Sequence, residues 1–272
     1  MKPLYDATIE CFPESFKLLQ KEAFLANSCI LSGFDFLIKG RFESGYVGAY
    51  FAAFFHLTIG IERLLKLVYV SNYMMENNMN FPQNKDIKEF GHGIDVLLKE
   101  CDGIGEKYGI RKEKLDSIDE SIISFLTSFA DAKKGRYFNF LGKYQEENNP
   151  LWGWQNICFN ILKNDVAKKN KIVREQLALI EDKSIDDDMK AIYIFPQLFP
   201  KCNHYAVLRI IRILAQFVRT LEKISLLHHK RDIEIDTGKY PDIPYYGNIF
   251  CFAYIPRDYI LRKKRWIDYI SY

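Results

Sequence analysis

The chain lacks the short motifs that mark several common enzyme classes. Its 272 residues contain no G-x-x-x-x-G-K-[ST] phosphate loop, no G-x-G-x-x-G, no H-E-x-x-H and no G-x-S-x-G. These absences argue against ATPases, dehydrogenases, zincins and serine hydrolases. Only five histidines are present, and none lies at zinc-finger spacing from the six scattered cysteines. We therefore expect neither a metal site nor a cofactor.

We also expect neither a targeting segment nor a membrane span. The N-terminus carries Asp6 early and has no apolar core followed by a small-residue cleavage site, so we expect no signal peptide. The uncharged stretch 45–61 is shorter than the ~20 residues that span a bilayer, and it runs into charged residues. The cysteines include no C-x-x-C pair. We expect a cytoplasmic protein with reduced thiols and no membrane association.

A strong net charge is likewise absent. Lys plus Arg number 38 against 35 for Asp plus Glu, which gives a net charge of +3. A general attraction to nucleic acid or membranes is not expected from this balance, so any basic site must be local. The chain is 48% hydrophobic and 27% charged, which is typical of a globular protein with a sizeable core.

Apolar spacing of three and four residues predicts six or so helices and no parallel sheet. The predicted helices cover 13–39, with Gly33 as a dividing point, 45–77, 86–101, 117–135, 151–181 and 203–229. Alternating apolar residues at 249–255 predict a short strand or hairpin. The predicted fold is all-α: a helical bundle over 1–182, then a long C-terminal helix and an irregular tail over 183–272.

Histidine and carboxylate side chains supply the first candidate for chemistry. His92 and Asp95 are three residues apart, so on a helix they share one face, and a carboxylate can orient an imidazole as a general base. A plain surface hydrogen bond is the alternative. His228 and His229 are adjacent and point about 100° apart on a helix, so the helix C-terminus explains them better than a metal site.

The most unusual local sequence is DAKKGRYFNF at 131–140. Arg136 suits a phosphate, Tyr137 suits a stacked base, Asn139 suits a base edge, and Lys133 and Lys134 add positive charge. The alternative is a helix end with basic residues near the last carbonyls. Two further basic clusters suit a polyanion or a solvated surface. They are Lys163, Lys168, Lys169, Lys171 and Arg174, and the run RKKRW at 262–266.

Four segments resemble the HEPN superfamily, the higher eukaryote and prokaryote nucleotide-binding domains. They are FESGYVGAYFAA at 42–53, IERLLK at 61–66, GHGIDVLL at 91–98, and FAD at 129–131 followed by Arg136 and Tyr137. The similarity spans residues 40–140. It implies a dimeric helical bundle of bacterial toxin or phage-defence type that targets RNA or a nucleotide, with a protein partner such as an antitoxin or another defence-system subunit.

Active members of that superfamily are metal-independent ribonucleases with an R-x(4–6)-H motif, and this chain departs from the motif. No arginine here is followed by a histidine at that spacing. Two interpretations remain. In the first, the chain is a metal-independent endoribonuclease in which His92 or His56 completes a site around Arg136, and Asp95 orients His92. In the second, it is a non-catalytic all-α module that binds a protein partner.

Overall fold

The computed structural model describes residues 12–42, 45, 47–131, 149–186, 189–235 and 240–269, and for 191, 192, 231–235 and 269 it describes the backbone alone. Every regular element in these ranges is helical, which confirms the all-α class. The α-helices are α1 (Glu14–Lys39), α2 (Val47–Glu76), α3 (Asn84–Glu89), α4 (Ile94–Lys107), α5 (Ser117–Ala130), α6 (Pro150–Ile161), α7 (Lys171–Glu181), α8 (Phe195–Ile235) and α9 (Arg257–Ile260). Across the described ranges, no helix combines the length and apolar character that crossing a membrane requires.

Helices α1 and α2 form a tightly packed hairpin at the centre of the bundle. Gly33 does not divide α1, which is continuous through this position. The missing side chain of Gly33 leaves room for Leu57 of α2. Gly60 of α2 lies in the same way against Ile30 of α1. The segment predicted as a helix over 45–77 is α2, and its buried positions occur around most of its circumference.

The helix predicted over 86–101 is two helices, α3 and α4, separated by a turn at 90–93. Gly91 takes a φ of +53°, a left-handed conformation that ends a helix and that glycine adopts without strain. Gly93 then precedes the first residue of α4. This turn takes His92 out of any helix.

Helix α5 begins at Ser117, where the predicted helix over 117–135 begins. Asp116 is the N-cap: its carboxylate accepts hydrogen bonds from the backbone N–H groups of Ile118 and Asp119. The Asp119 carboxylate in turn accepts from the Asp116 N–H at 3.0 Å. This reciprocal pair is a capping box, and α5 ends at Ala130 rather than near 135.

The segment predicted as one helix over 151–181 is α6, a π-helical turn at Leu162–Val166, and α7. Asn170 starts α7 by accepting a hydrogen bond from the Val173 N–H, so the helical run is interrupted there. Helix α8 is longer than the 203–229 prediction and contains Pro200 near its start. It packs against α1, α2 and α6.

The predicted C-terminal strand or hairpin is wrong, because the described residues contain no strand. A 3₁₀ turn occupies Cys251–Tyr254, and α9 follows it. The most buried residues of this segment are Phe250 and Phe252, which are not the alternating set that suggested a strand. Asp35 of α1 fixes the tail by accepting hydrogen bonds from the backbone N–H groups of Trp266 and Ile267.

Candidate functional site

Five of the predicted site residues lie outside the described residues. They are Lys133, Lys134, Arg136, Tyr137 and Asn139, all between the end of α5 and the start of α6. Two others, His92 and Asp95, are among the described residues.

His92 is bound to Glu62 rather than to Asp95. Its Nδ1 lies 3.0 Å from Oε2 of Glu62 on α2, while Asp95 is exposed in the first turn of α4. No hydrogen bond joins His92 to Asp95 within the described ranges, because His92 lies in the turn before α4 and the two residues do not share a helical face. The carboxylate beside the imidazole is therefore that of Glu62, 30 residues earlier in the chain, and not that of Asp95.

Glu62 is held by two donors. Lys66 Nζ lies 2.7 Å from its Oε1, and the imidazole contacts its other oxygen. Burial raises the pKa of Glu62, but the hydrogen bonds and positive charge of Lys66 and His92 outweigh burial and hold that pKa below its usual value. An ionised carboxylate only accepts hydrogen bonds. In a neutral His92, Nδ1 therefore carries the hydrogen and donates the hydrogen bond to Glu62. Nε2 is then left as a base.

His92 and Glu62 line an open groove between α1, α2 and α3, with a volume of about 630 Å³. The side chain of His92 is 63% exposed, whereas that of Glu62 is 17% exposed. The groove is therefore able to admit a molecule to the outer edge of the imidazole. Apolar side chains form much of its wall, and among them Leu18, Ile59 and Phe81 are exposed.

The charges around the groove are paired. Arg63 donates to Glu22 across the α1–α2 interface, and Lys66 is bound to Glu62 and to the Gly91 carbonyl. Each cation of the groove thus faces a carboxylate within the described ranges. A phosphate entering here meets an oriented imidazole, and an additional cation would have to come from another part of the chain.

His56 is separate from this groove. It lies on α2 with its ring stacked on Phe36 at 5.4 Å between centroids. Burial lowers the pKa of His56, which favours the neutral imidazole. This packing fits a histidine that belongs to the helix–helix contact, and it does not join His56 to His92.

Two histidines near the end of α8, His228 and His229, contact the segment that follows the helix. His228 Nε2 accepts from the Asp242 backbone N–H at 3.0 Å, and His229 Nε2 lies 2.8 Å from the Ile243 carbonyl oxygen. Both therefore contact backbone. In the part of the chain that the structure describes, no three His, Cys, Asp or Glu side chains are grouped to hold a metal ion.

Sequence reasoning missed a buried ionic cluster centred on Arg209 of α8. The guanidinium donates to both oxygens of Asp165 at 2.6 and 2.9 Å, to Asp116 at 2.8 Å and to Asp119 at 2.8 Å. Arg212 also donates to Asp119. Burial lowers the pKa of Arg209, but the three carboxylates outweigh burial and raise it. The cluster joins α5, α8 and the turn after α6, and both of its arginines face carboxylates.

Comparison of the chain with models of known protein families, with curated proteins and with solved structures finds no match. The arrangement of His92 and Glu62 in the groove is therefore the basis of the functional argument.

Proposed function

We propose that the protein is a HEPN-like, RNA- or nucleotide-targeting protein of bacterial toxin or phage-defence type, acting in the cytoplasm as a homodimer. The all-helical bundle agrees with the fold that the resemblance implies, and the dimer, the defence setting and an antitoxin-like partner rest on the resemblance alone. The observation that carries the proposal is the exposed His92 imidazole, oriented by Glu62 at the rim of an open groove.

This arrangement suits metal-independent cleavage of RNA. Nε2 of His92 takes the proton of a ribose 2′-hydroxyl, and the 2′-oxygen attacks the adjacent phosphorus as the bond to the 5′-oxygen breaks. The protonated imidazole returns a proton to that leaving oxygen. Glu62 keeps the ring oriented and stabilises its positive form. Arg136 is the proposed source of the charge that the groove lacks, with Tyr137, Asn139, Lys133 and Lys134 holding the nucleotide.

The test is incubation of the purified protein with labelled total RNA in the presence of a chelator, with fragments read on a gel. We expect His92→Ala to slow cleavage about 10²- to 10⁴-fold, the usual contribution of a general acid–base group. Glu62→Gln is expected to slow it too, because glutamine does not stabilise the imidazolium. Arg136→Ala is expected to reduce cleavage as well.

The matched control is Asp95→Asn, which removes a carboxylate from the first turn of α4 without touching His92. We expect it to cleave at the parent rate. Circular dichroism of each variant shows whether it is folded. Intact RNA with the folded parent, or equal rates for parent and His92→Ala, would contradict the ribonuclease proposal.

A second candidate function is a non-catalytic module that binds a protein partner. The apolar wall of the groove favours it, because Leu18 and Phe81 expose 47% and 42% of their surface. Under this alternative, RNA stays intact with parent and variants alike, and His92→Ala changes nothing. The cleavage experiment therefore separates the two candidates.

A further inference from the structure

The C-terminal tail presents a compact group of cations beside an exposed aromatic ring. We call the group of Tyr259, Arg262, Lys263, Lys264 and Arg265 the tail surface. These residues line a cleft of about 700 Å³ together with Pro256, Asp258 and Asp268. Tyr259, Arg262, Lys264 and Arg265 are exposed.

The backbone beneath the tail surface is fixed at three points. The Lys263 carbonyl oxygen lies 3.2 Å from Nε2 of His204 on α8. The N–H groups of Trp266 and Ile267 donate to the buried carboxylate of Asp35 on α1. The Trp266 side chain is fully buried. The cations therefore project from a rigid turn, and holding them in place for a ligand costs little backbone entropy.

Two of these cations make no ion pair within the described ranges. Arg265 lies 3.6 Å from Asp268, but Arg262 and Lys264 have no carboxylate partner in the described residues. This differs from the groove around His92, where each cation faces an acid. An unpaired exposed cation is the group that exchanges its counterions for a phosphate.

Tyr259 supplies the aromatic component. Tyr259 is 51% exposed, and Lys263 Nζ lies 5.4 Å from the centroid of its ring and 5.6 Å from that of Trp266. Lys263 therefore lies over one face of the tyrosine ring, and about half of the residue's surface stays open to solvent. Cations that follow a phosphate backbone next to a ring that stacks on bases are typical of sites for single-stranded nucleic acid.

We propose that the tail surface binds single-stranded RNA, with Arg262 and Lys264 on phosphates and an unpaired base stacked on Tyr259. This inference rests on the proposed function for the choice of RNA as the nucleic acid. An anionic membrane is the other polyanion that such a turn could meet. The tail surface has no aliphatic side chain to insert into lipid, so RNA is favoured.

The experiment is fluorescence anisotropy of a labelled oligouridylate titrated with the full-length protein at several salt concentrations. We expect Arg262→Ala/Lys264→Ala to weaken binding by about tenfold or more at low salt. Each phosphate contact on a single strand contributes about 0.7 to the slope of log affinity against log salt, so the double variant is expected to lower that slope by about 1.4. Tyr259→Ala is expected to weaken binding about tenfold, and Tyr259→Phe to retain it.

The matched control is Arg111→Ala/Lys114→Ala, which removes one exposed arginine and one exposed lysine from the loop between α4 and α5. It changes the net charge of the protein by the same amount and is expected to leave binding and its salt slope at parent values. Thermal unfolding by circular dichroism checks that each variant is folded. Equal weakening by both double variants would overturn the proposal, because net charge alone would then explain binding.

Three further outcomes also decide the matter. Binding of the parent to phosphatidylserine vesicles, with none to the oligouridylate, would overturn the choice of RNA. Parent-level cleavage and parent-level binding in Arg262→Ala/Lys264→Ala would overturn the tail surface while the His92 proposal stands. Tail-dependent binding without any cleavage would support the tail surface while the ribonuclease proposal fails.

Discussion

Loss of the Arg209 side chain removes the cation that three carboxylates share. Its side chain is 7% exposed, and one of its partners, Asp119, is completely buried. A buried ion pair adds little net stability by itself, because desolvation of the charges offsets their attraction. Removing one member is different, since the remaining charges keep their desolvation cost without a partner.

We therefore expect Arg209→Ala to lower the free energy of unfolding by about 3–5 kcal/mol. Arg209→Lys is also expected to destabilise, because an ammonium does not reproduce the two-pronged contact with Asp165. Urea denaturation followed by circular dichroism measures both. The control is Lys163→Ala, which breaks an exposed pair with Glu181 and should cost no more than about 1 kcal/mol. Equal losses for Arg209→Ala and Lys163→Ala would contradict the role of the cluster.

The same cluster makes stability depend on pH. Burial raises the pKa of Asp116, but hydrogen bonds from the Asp119 N–H and the Arg209 guanidinium outweigh it and hold the pKa below its usual value. A carboxyl whose pKa is lower in the folded state stabilises the fold above the ordinary pKa of about 4 and loses that effect as the pH falls through the folded-state value. We expect the urea midpoint of the parent to fall below about pH 4, and Asp116→Asn to remove part of that dependence.

The residues of the candidate site were only partly predictable. The sequence points to His92 because a histidine near a carboxylate is a chemical signal, but the carboxylate beside it in the structure is that of Glu62 and not that of Asp95. A spacing of three residues has meaning only if both residues are helical, and Gly91 and Gly93 place His92 in a turn. Glu62 is distant in sequence, so only the packing of α2 against this turn brings it to the imidazole. Its spacing of four from Lys66 was the one readable signal.

At the scale of elements, the hairpin of α1 and α2 depends on two glycines. A methyl group on Gly60 would lie 2.7 Å from Ile30 Cγ1 and 2.8 Å from the Ile30 backbone nitrogen. Backbone does not move aside as a flexible side chain does. The close approach of the two helices therefore requires glycine at position 60, although glycine is a poor helix former.

We expect Gly60→Ala to destabilise the protein by about 1–3 kcal/mol through overpacking. Gly103→Ala is the control, because nothing lies within 4 Å of the added methyl on α4. Without a clash, alanine should stabilise that helix by up to about 1 kcal/mol. Thermal unfolding of both variants measures the difference. A stable Gly60→Ala variant would show that the helices separate without cost.

The helices themselves were largely predictable, and their ends less so. The sequence predicts helix α2 because its apolar residues recur around the helix over about eight turns. A pattern of that length is not obscured by a single residue that departs from it. The tail was misassigned, because alternation over four residues is a weak sign of a strand. Phe250 and Phe252 are instead buried against the bundle, and Phe252 packs edge-on against Phe34 of α1.

At the scale of the molecule, Asp35 connects the beginning of the fold to its end. One carboxylate satisfies two backbone donors of the tail, at residues 266 and 267. Phe34 beside it packs edge-on against Phe252 and Trp266. The tail is therefore part of the core, and α1 offers it both an apolar contact and a hydrogen-bonding contact.

We expect Asp35→Ala to loosen the tail without unfolding the bundle. Leaving buried N–H groups without acceptors costs about 1–3 kcal/mol, which raises the population of the detached tail about 5- to 150-fold. Limited trypsin digestion with mass spectrometry should then show faster cleavage after residues 262–265. Asp258→Ala, which removes an exposed acid on the same segment, should digest like the parent. Unchanged cleavage in Asp35→Ala would contradict the clamp.

The distance in sequence between Asp35 and Trp266 also sets the earliest time at which these two residues can meet during synthesis. The two residues are 231 positions apart. At about 5–20 residues per second, a ribosome needs about 10–50 s to add the partner after Asp35 has been made. Throughout that interval Phe34 of the nascent α1 lacks its contacts with Phe252 and Trp266, so this apolar site stays uncovered until the tail has been made.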